Sequence, residues 1–380
     1  MPDFGGTAVK TPELTTHRRT LDALTGIRLI AAVYVVIFHS KLGPKIGNHG
    51  HWILANLLGN GGMAVSLFFL LSGFILAYTY AGQINKSGAY RKFWEARFAR
   101  LWPVYIISLV LISASEHYLP KPVPFVAVVL MVQAWNPFDI GMAGVWNTVC
   151  WTLSTEAFFY LCFPFIQPRL EKLSSSRLLW ILATTLVLII SFNLESDGFG
   201  YVDNSLLNFS HVPIPVLRLP EFIAGVLMGN LYLMKYSGNR GLRRRIMDTS
   251  IWTYAATVGT IGLLCRSNGR WSSLNCVGFC ALIYCLAEED SMISRLLSTR
   301  VAILGGSISY SIYLIQTSIR DFTKQIAALI GLKAELGLVL LMSGFLIIAS
   351  YLLFMLVENP ARLFLRSIFA RLENRRLERG

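Results

Sequence analysis

The stretch GIRLIAAVYVVIFHS, from Gly26 to Ser40, decides the fold because it is almost entirely apolar and yet carries Arg28 and His39. The run that contains it, 22–41, has about the 20 residues that a helix needs to cross a bilayer. Polar groups within hydrocarbon are costly and are retained mainly for function. The stretch therefore predicts a transmembrane helix with two polar side chains that require an explanation.

Similar runs recur along the chain of 380 residues, of which 54% are hydrophobic and 14% charged, whereas soluble domains have about 25% charged residues. The runs are continuous and lack the alternation of membrane-barrel strands, so helices are favoured. We therefore expect an all-α protein, a polytopic transmembrane bundle of about ten spanning helices. The further runs lie near 61–82, 101–118, 146–167, 177–195, 213–235, 249–266, 272–287, 301–320 and 334–357.

The basic residues indicate the orientation of the bundle. The net charge is +13, and most Lys and Arg residues fall in alternate segments on the side of the N-terminus. By the positive-inside rule, both termini are expected in the cytoplasm, and no nucleic-acid partner is needed to explain the charge. Pro360 is expected to end the last span. The expected divisions are a flexible cytoplasmic lead at 1–20, a transmembrane domain at 21–365 and a basic cytoplasmic tail at 366–380.

Arg28 and His39 are separated by eleven residues of the first predicted helix, or roughly 16 Å along its axis. Eleven steps of about 100° bring both side chains to nearly the same face. This spacing predicts an elongated polar path that runs from the cytoplasmic side towards the outer surface. Alternatively, Arg28 extends to the lipid headgroups and His39 only caps the helix.

A second polar group lies in RKFWEARFARLWP, where Arg97 and Arg100 are one helical turn apart. Guanidinium pairs suit phosphate because each can form bidentate hydrogen bonds. The alternative is ordinary anchoring of a basic helix end at the cytoplasmic interface.

Acidic residues form a third group. Glu156, in WTLSTEAFFY, lies within an apolar run, where a carboxylate should be paired or protonated. Arg218 and Glu221, in LRLPEFIAGVLMG, are one turn apart and are expected to form a structural pair. A weaker signal is the polar face of GSISYSIYLIQ, which could serve only for hydrogen bonds between helices and consists of Ser309, Tyr313, Gln316 and Arg320.

Taken together, these stretches resemble the acyltransferase 3 family of multispan membrane acyltransferases, from Leu21 to about Arg366. LDALTGIRLIAAVYVVIFHS looks like the first helix of the family, with arginine and histidine at the family's spacing. ARFARLWP is similar to its Arg-x-x-Arg element. FFLLSGFILA, WTLSTEAFFYLCFP and GSISYSIYLIQ resemble three further family motifs. In the last of these, Gln316 stands where many members have histidine, so a second catalytic histidine is not expected.

The resemblance implies transfer of an acyl group, usually acetyl, from coenzyme A to a hydroxyl of a carbohydrate or other acceptor. Arg28, Arg97 and Arg100 would bind acyl-CoA, the donor substrate. His39 would be the general base, a role that suits a neutral imidazole, whose ordinary pKa is near 6.5, and Glu156 would orient its ring or hold its charged form. The expected supporting polar residues are Ser72, Trp151, Ser154, Arg218, Glu221, Ser309, Tyr313 and Gln316.

The default acceptor is a cell-surface polysaccharide, lipopolysaccharide or exopolysaccharide, modified by a multi-pass protein of the bacterial cytoplasmic (inner) membrane. No permanently bound cofactor and no metal is expected. One alternative is acylation of a small secreted metabolite such as an antibiotic sugar. An alternative of another class is a secondary transporter that uses the polar path for a solute. The partners expected besides the two substrates are the lipids of the bilayer, and the oligomeric state is left open.

Overall fold

In the computed structural model all regular secondary structure of the described residues is helical, and no strand occurs there. Residues 1–19 of the predicted lead lie outside the described residues. The last residues of the predicted tail, 378–380, also lie outside them. The described residues are 20–41, 50–86, 88–192, 212–237, 249–266, 269–288, 291–331 and 335–377.

The apolar runs become helices, as predicted, and the all-α membrane architecture is confirmed. A 3-10 turn at Asn60–Met63 joins α2 to α3, and a π turn at Phe354–Glu358 joins α13 to α14. The helices are α1 (Asp22–His39), α2 (Trp52–Gly59), α3 (Ala64–Tyr80), α4 (Ala89–Glu116), α5 (Pro122–Val129), α6 (Trp151–Leu170), α7 (Ser175–Phe192), α8 (Ile214–Ser237), α9 (Thr249–Arg266), α10 (Asn275–Glu288), α11 (Met292–Leu297), α12 (Arg300–Leu329), α13 (Glu335–Leu353) and α14 (Asn359–Leu377).

Within the described residues, six helical segments are long and apolar enough to cross a membrane. The predicted runs at 177–195 and 272–287 form shorter apolar helices. The count of about ten spans and the cytoplasmic position of both termini stay predictions. The six segments are Asp22–His39, Trp52–Tyr80, Ala89–Glu116, Thr148–Leu170, Ile214–Lys235 and Gly337–Phe369.

The prediction that Pro360 ends the last span is wrong. Pro360 lies in the first turn of α14, which continues to Leu377. Proline has no N–H to donate, but the preceding π turn carries the winding past it, with the N–H of Asn359 bonded to the carbonyl of Phe354. Residues 366–377 of the predicted tail are therefore helical.

Glycines allow the helices around the centre of the bundle to touch backbone to backbone. A Cβ atom on Gly73 of α3 would lie 2.1 Å from the carbonyl oxygen of Phe222 in α8, and one on Gly225 of α8 would lie 2.1 Å from that of Leu70. A Cβ atom on Gly306 of α12 would lie 1.9 Å from the carbonyl oxygen of Thr25 in α1. Small residues thus fix α3 against α8 and α1 against α12.

Candidate active site

A cavity of about 90 Å³ lies between five helices, α1, α3, α4, α6 and α12. Its apolar wall comes mainly from α3 and its charged groups from α1, α4 and α6. Several residues that the sequence singled out on separate helices therefore meet at one place. The polar lining consists of Arg28, Ser72, Arg97, Arg100, Thr152, Glu156, Tyr160, Ser309, Tyr310 and Tyr313.

Glu156 is held in the cavity by two hydroxyl groups. Ser72 Oγ of α3 donates a hydrogen bond to Glu156 Oε1 at 3.0 Å. Tyr160, one turn further along α6, donates its phenolic O–H to the same oxygen. Both bonds end on Oε1, so Oε2 has no hydrogen-bond partner among the described residues. The carboxylate is fixed in position, with one oxygen left for another group.

Arg28 and Arg100 line the same cavity without forming a hydrogen bond or an ion pair to any residue that the structure describes. They act electrostatically on each other as like charges, and Glu156 and Glu358 act on both as opposite charges. Three guanidinium groups and one carboxylate line the cavity, so its lining carries an excess of positive charge. In a protein interior such an excess calls for an anion.

Arg97 is held differently from Arg100, although they are one turn apart on α4. Its guanidinium carbon lies 5.6 Å from the ring centre of Tyr80 and 5.8 Å from those of Phe93 and Tyr160. Its Nη2 donates to the hydroxyl of Tyr80 at 3.2 Å. Cation–π contacts of this kind stabilise a desolvated guanidinium. The protein therefore surrounds Arg97 with aromatic rings, while it leaves Arg100 open to the cavity.

His39 ends α1 and is not among the residues that line the cavity. Its Nδ1 lies 3.3 Å from Oε1 of Gln316 on α12. Gln316 Nε2 in turn donates to the backbone carbonyl of Tyr313 at 2.9 Å, and the Tyr313 side chain lines the cavity. His39 thus lies beyond the end of the cavity at Tyr313, and Gln316 connects the two, since Gln316 is one turn past Tyr313.

The expected contact between Glu156 and the His39 ring does not occur in the described structure, and this interpretation is corrected. Glu156 is turned instead towards Ser72 and Tyr160. The physical reason is local, because Tyr160 follows Glu156 by one helical turn and reaches its carboxylate directly. The polar side chain beside the ring is the amide of Gln316, and the backbone carbonyl of Val35, one turn earlier, also acts on the ring.

The predicted pair of Arg218 and Glu221 forms, at 2.9 Å, with side chains that are 3% and 1% exposed. Ser66 donates to the same carboxylate oxygen at 3.0 Å. The guanidinium carbon of Arg218 lies 5.7 Å from the ring centre of Trp151, and the Trp151 ring packs edge-on against Phe69. Because Phe69 lines the cavity, the pair and Trp151 lie behind the cavity wall.

The remaining predicted polar residues divide between the cavity and its supports. Ser309 lines the cavity, and its hydroxyl donates to the carbonyl of Gly306 on its own helix at 2.7 Å. Ser154 accepts a hydrogen bond from the backbone N–H of Ala134 at 3.1 Å. It thereby ties the connection between α5 and α6 to the start of α6, away from the cavity.

Glu358, on the π turn, is the main polar residue that the sequence reasoning did not place at the site. It is 5% exposed, and its Oε2 accepts a hydrogen bond from Ser311 of α12 at 3.1 Å. Its charge acts on both Arg28 and Arg100. The sequence signal was an acid at the end of an apolar run, in ENPAR, which is also typical of a helix end at the membrane interface.

Comparisons with known proteins identify the family of the chain. A family model described as an acyltransferase domain, that of acyltransferase 3, matches residues 21–357. The acyltransferase MdmB of Streptomyces mycarofaciens is 27% identical, over 90% of this chain and 91% of that protein. No solved structure matches the chain.

Two further relatives are O-acetyltransferases by name. The peptidoglycan O-acetyltransferase OatA of Listeria monocytogenes is 26% identical, over 43% of this chain and 26% of that protein. The O-acetyltransferase OatA of Staphylococcus aureus is 22% identical, over 78% of this chain and 50% of that protein. The chain thus spans half or less of these two proteins, but the family model covers most of the chain. The chain belongs to the acyltransferase 3 family of membrane acyltransferases.

Proposed function

We propose that this protein is an integral-membrane O-acyltransferase that moves an acyl group, in the first instance acetyl, from cytosolic acyl-CoA to a hydroxyl of a carbohydrate acceptor. The observation that carries the proposal is the cavity in which Arg28 and Arg100 face open space, with no hydrogen bond or ion pair to a described residue, beside the fixed carboxylate of Glu156. The names of the two O-acetyltransferase relatives support the choice of an acetyl group and a hydroxyl acceptor.

The donor supplies the anion that the cavity lacks. Coenzyme A carries several phosphate groups, and guanidinium groups bind phosphate through paired, charge-assisted hydrogen bonds. Arg28 and Arg100 are available for this because no described side chain forms a hydrogen bond or ion pair with either of them. Arg97, enclosed by aromatic rings, keeps Tyr160 and through it Glu156 in place. The long, thin pantetheine arm then extends along the cavity and carries the thioester towards the outer end.

His39 removes the proton from the acceptor hydroxyl. The hydroxyl oxygen attacks the thioester carbonyl, the new ester bond forms as the carbon–sulfur bond breaks, and the proton leaves with the thiolate as free coenzyme A. A neutral imidazole suits this step. A transient acyl group on the ring would use the same residues in two steps. With the cytoplasmic side at the start of α1, the acceptor approaches from the opposite face of a bacterial cytoplasmic membrane.

Replacing His39 tests this proposal. In purified protein reconstituted in nanodiscs, His39→Ala should lower acceptor-dependent release of free thiol from acetyl-CoA by about 10²–10⁴-fold, the usual contribution of a general base. His51→Ala is the matched control, because His51 is exposed just before α2, and it should keep the full rate. If His39→Ala transfers the acyl group at the full rate, His39 is not the general base. Solute flux without thiol release would instead identify a transporter.

The acceptor is found by mass spectrometry of surface glycans from cells with and without the protein. Loss of acyl groups from a surface polysaccharide, a lipopolysaccharide or an exopolysaccharide would support the carbohydrate polymer as acceptor. Acylation found only on a small secreted compound would replace it by a metabolite, such as an antibiotic sugar. The name of the relative that matches nearly end to end, an acyltransferase of Streptomyces, states no acceptor, so both candidates stay in the comparison.

A further inference from the structure

The orientation of the Gln316 side chain follows from its hydrogen bonds. Gln316 is 2% exposed, and one end of its amide lies 2.9 Å from the backbone carbonyl of Tyr313. A carbonyl oxygen can only accept a hydrogen bond, so the amide group directed at it must be the NH2. The amide oxygen, Oε1, is consequently the atom that faces the ring of His39, at 3.3 Å from Nδ1.

This orientation determines which nitrogen of His39 carries the proton. An amide oxygen has no hydrogen to donate, so a hydrogen bond between it and Nδ1 requires the proton on Nδ1. In the neutral ring, the other nitrogen, Nε2, then has a free lone pair. Nε2 is the atom able to accept a proton from a hydroxyl group.

We propose that Gln316 is a positioning residue for the transfer reaction: it fixes His39 in the tautomer whose Nε2 is the base. The inference rests on the proposed function of His39 as general base. In serine hydrolases a carboxylate occupies the corresponding place, and a neutral side chain that allows the wrong tautomer lowers the rate there by about 10⁴. Here the acceptor of the Nδ1 proton is a neutral amide, oriented by the carbonyl of Tyr313.

The charges around the ring distinguish this arrangement from a hydrolase triad. α12, which packs along α1, contributes Arg320, and Lys41 follows the end of α1; both are cations that act on His39. The described parts of the other neighbours of α1, which are α2, α3, α10 and α11, contribute no charged group that acts on the ring. The protonated ring is therefore not held by a negative charge, which favours return of the proton to the leaving thiolate.

The experiment compares Gln316→Leu and Gln316→Glu in the thiol-release assay, with kcat, KM for acetyl-CoA and the pH–rate profile measured for each. Gln316→Leu should lower kcat by about 10²-fold, the lower end of a general-base contribution, and leave KM within about twofold. Gln316→Glu keeps an oxygen at the same place and should retain activity at high pH. Its carboxylate would stabilise the protonated ring, so the acidic limb of the profile should move to higher pH by at least about one unit.

The matched control is Gln325→Leu, which removes another amide of α12 that donates to a carbonyl, that of Ser115, at a site outside the proposed machinery. It should leave kcat and the profile unchanged. Full activity of Gln316→Leu, a change in KM alone, or an unshifted profile for Gln316→Glu would overturn the inference. Gln316→Glu replaces only the amide NH2 with an oxygen and keeps the size of the side chain. It therefore tests the inference even if Gln316→Leu fails to fold. If His39→Ala is inactive while both Gln316 variants behave as the unaltered protein, the inference fails and the proposed function stands.

Discussion

Two groups of arginine and glutamate lie inside the helical bundle, one closed and one open. Arg218 and Glu221 are one turn apart on α8 and form a direct ion pair at 2.9 Å, sealed from solvent. Arg100 and Glu156 lie on different helices, α4 and α6, and line a cavity without bonding each other. Residues of the same types therefore occur in the same membrane domain in two different electrostatic states.

Under the proposed function, the difference separates a structural role of buried charges from a role in binding. A charge removed from water must be compensated, or it destabilises the folded state by several kcal/mol. In the closed group the two charges compensate each other within the protein, so the pair needs no ligand, although Arg218 Nε and Glu221 Oε2 have no hydrogen-bond partner among the described residues. In the open group the protein supplies a surplus of cations and leaves part of the compensation to whatever enters. The contacts, and not the residue types, thus distinguish a support from a site.

The largest effect should come from breaking the closed pair. Arg218→Met would leave the carboxylate of Glu221 buried without its cation and should lower the free energy of unfolding by about 3–5 kcal/mol. The double variant Arg218→Met, Glu221→Met should recover most of this loss, because it removes both charges. The measurement is denaturant-induced unfolding in detergent. A loss below about 1 kcal/mol for the single variant, typical of an exposed pair, would contradict the comparison.

An intermediate effect is expected at the open group. Arg100→Gln should raise KM for acyl-CoA by about 10–100-fold, the value of one charge-assisted hydrogen bond, and leave the unfolding free energy unchanged. Arg91→Gln is the control on the same helix, since Arg91 pairs with Glu95 at 2.5 Å on a partly exposed face. A loss of stability without a change in KM would mean that Arg100 supports the fold.

The smallest effects are expected from replacing two serines of α3, each of which donates a hydrogen bond to the carboxylate of one group. Because the two bonds are alike, these variants test the comparison most directly. Ser66 donates to Glu221 and Ser72 donates to Glu156, each at 3.0 Å. Replacing either serine with alanine removes its hydrogen bond, which should cost about 0.5–1.5 kcal/mol. In Ser66→Ala the cost should appear in the unfolding free energy, and in Ser72→Ala as a fall of about 2–10-fold in kcat/KM. If both variants change the same quantity, the two groups are not functionally distinct.

Features that depend on one helix were predictable from the sequence. Apolar runs of sufficient length became helices because the bilayer leaves a backbone few alternatives. Residues one turn apart met as expected in the pair of Arg218 and Glu221. The meeting of Arg28, Arg100 and Ser72 in one cavity was expected from the family motifs, and neither hydropathy nor periodicity would have given it.

Contacts between helices were the part that the sequence did not supply. Which turn of one helix faces which turn of another depends on side-chain fit, such as the close contact at Gly73 and Gly225. The expected pairing of Glu156 with His39 failed for this reason. Glu358 was overlooked because its own helix shows only an acid at the end of an apolar run. Its neighbours, Ser311 and the arginines, come from other helices.

The π turn at Phe354–Glu358 gives that last carboxylate an unusual vulnerability. A π turn holds one residue more than an α turn, and such turns often occur where a side chain must be aimed. If this segment relaxed to ordinary α-helical winding with all its residues kept, its apolar character would not change. The segment would still be inserted as a span, yet everything after the turn would be rotated by up to about 100°, the step of one residue. A change of winding at this point of the chain would therefore redirect a buried charge without leaving any trace in hydropathy.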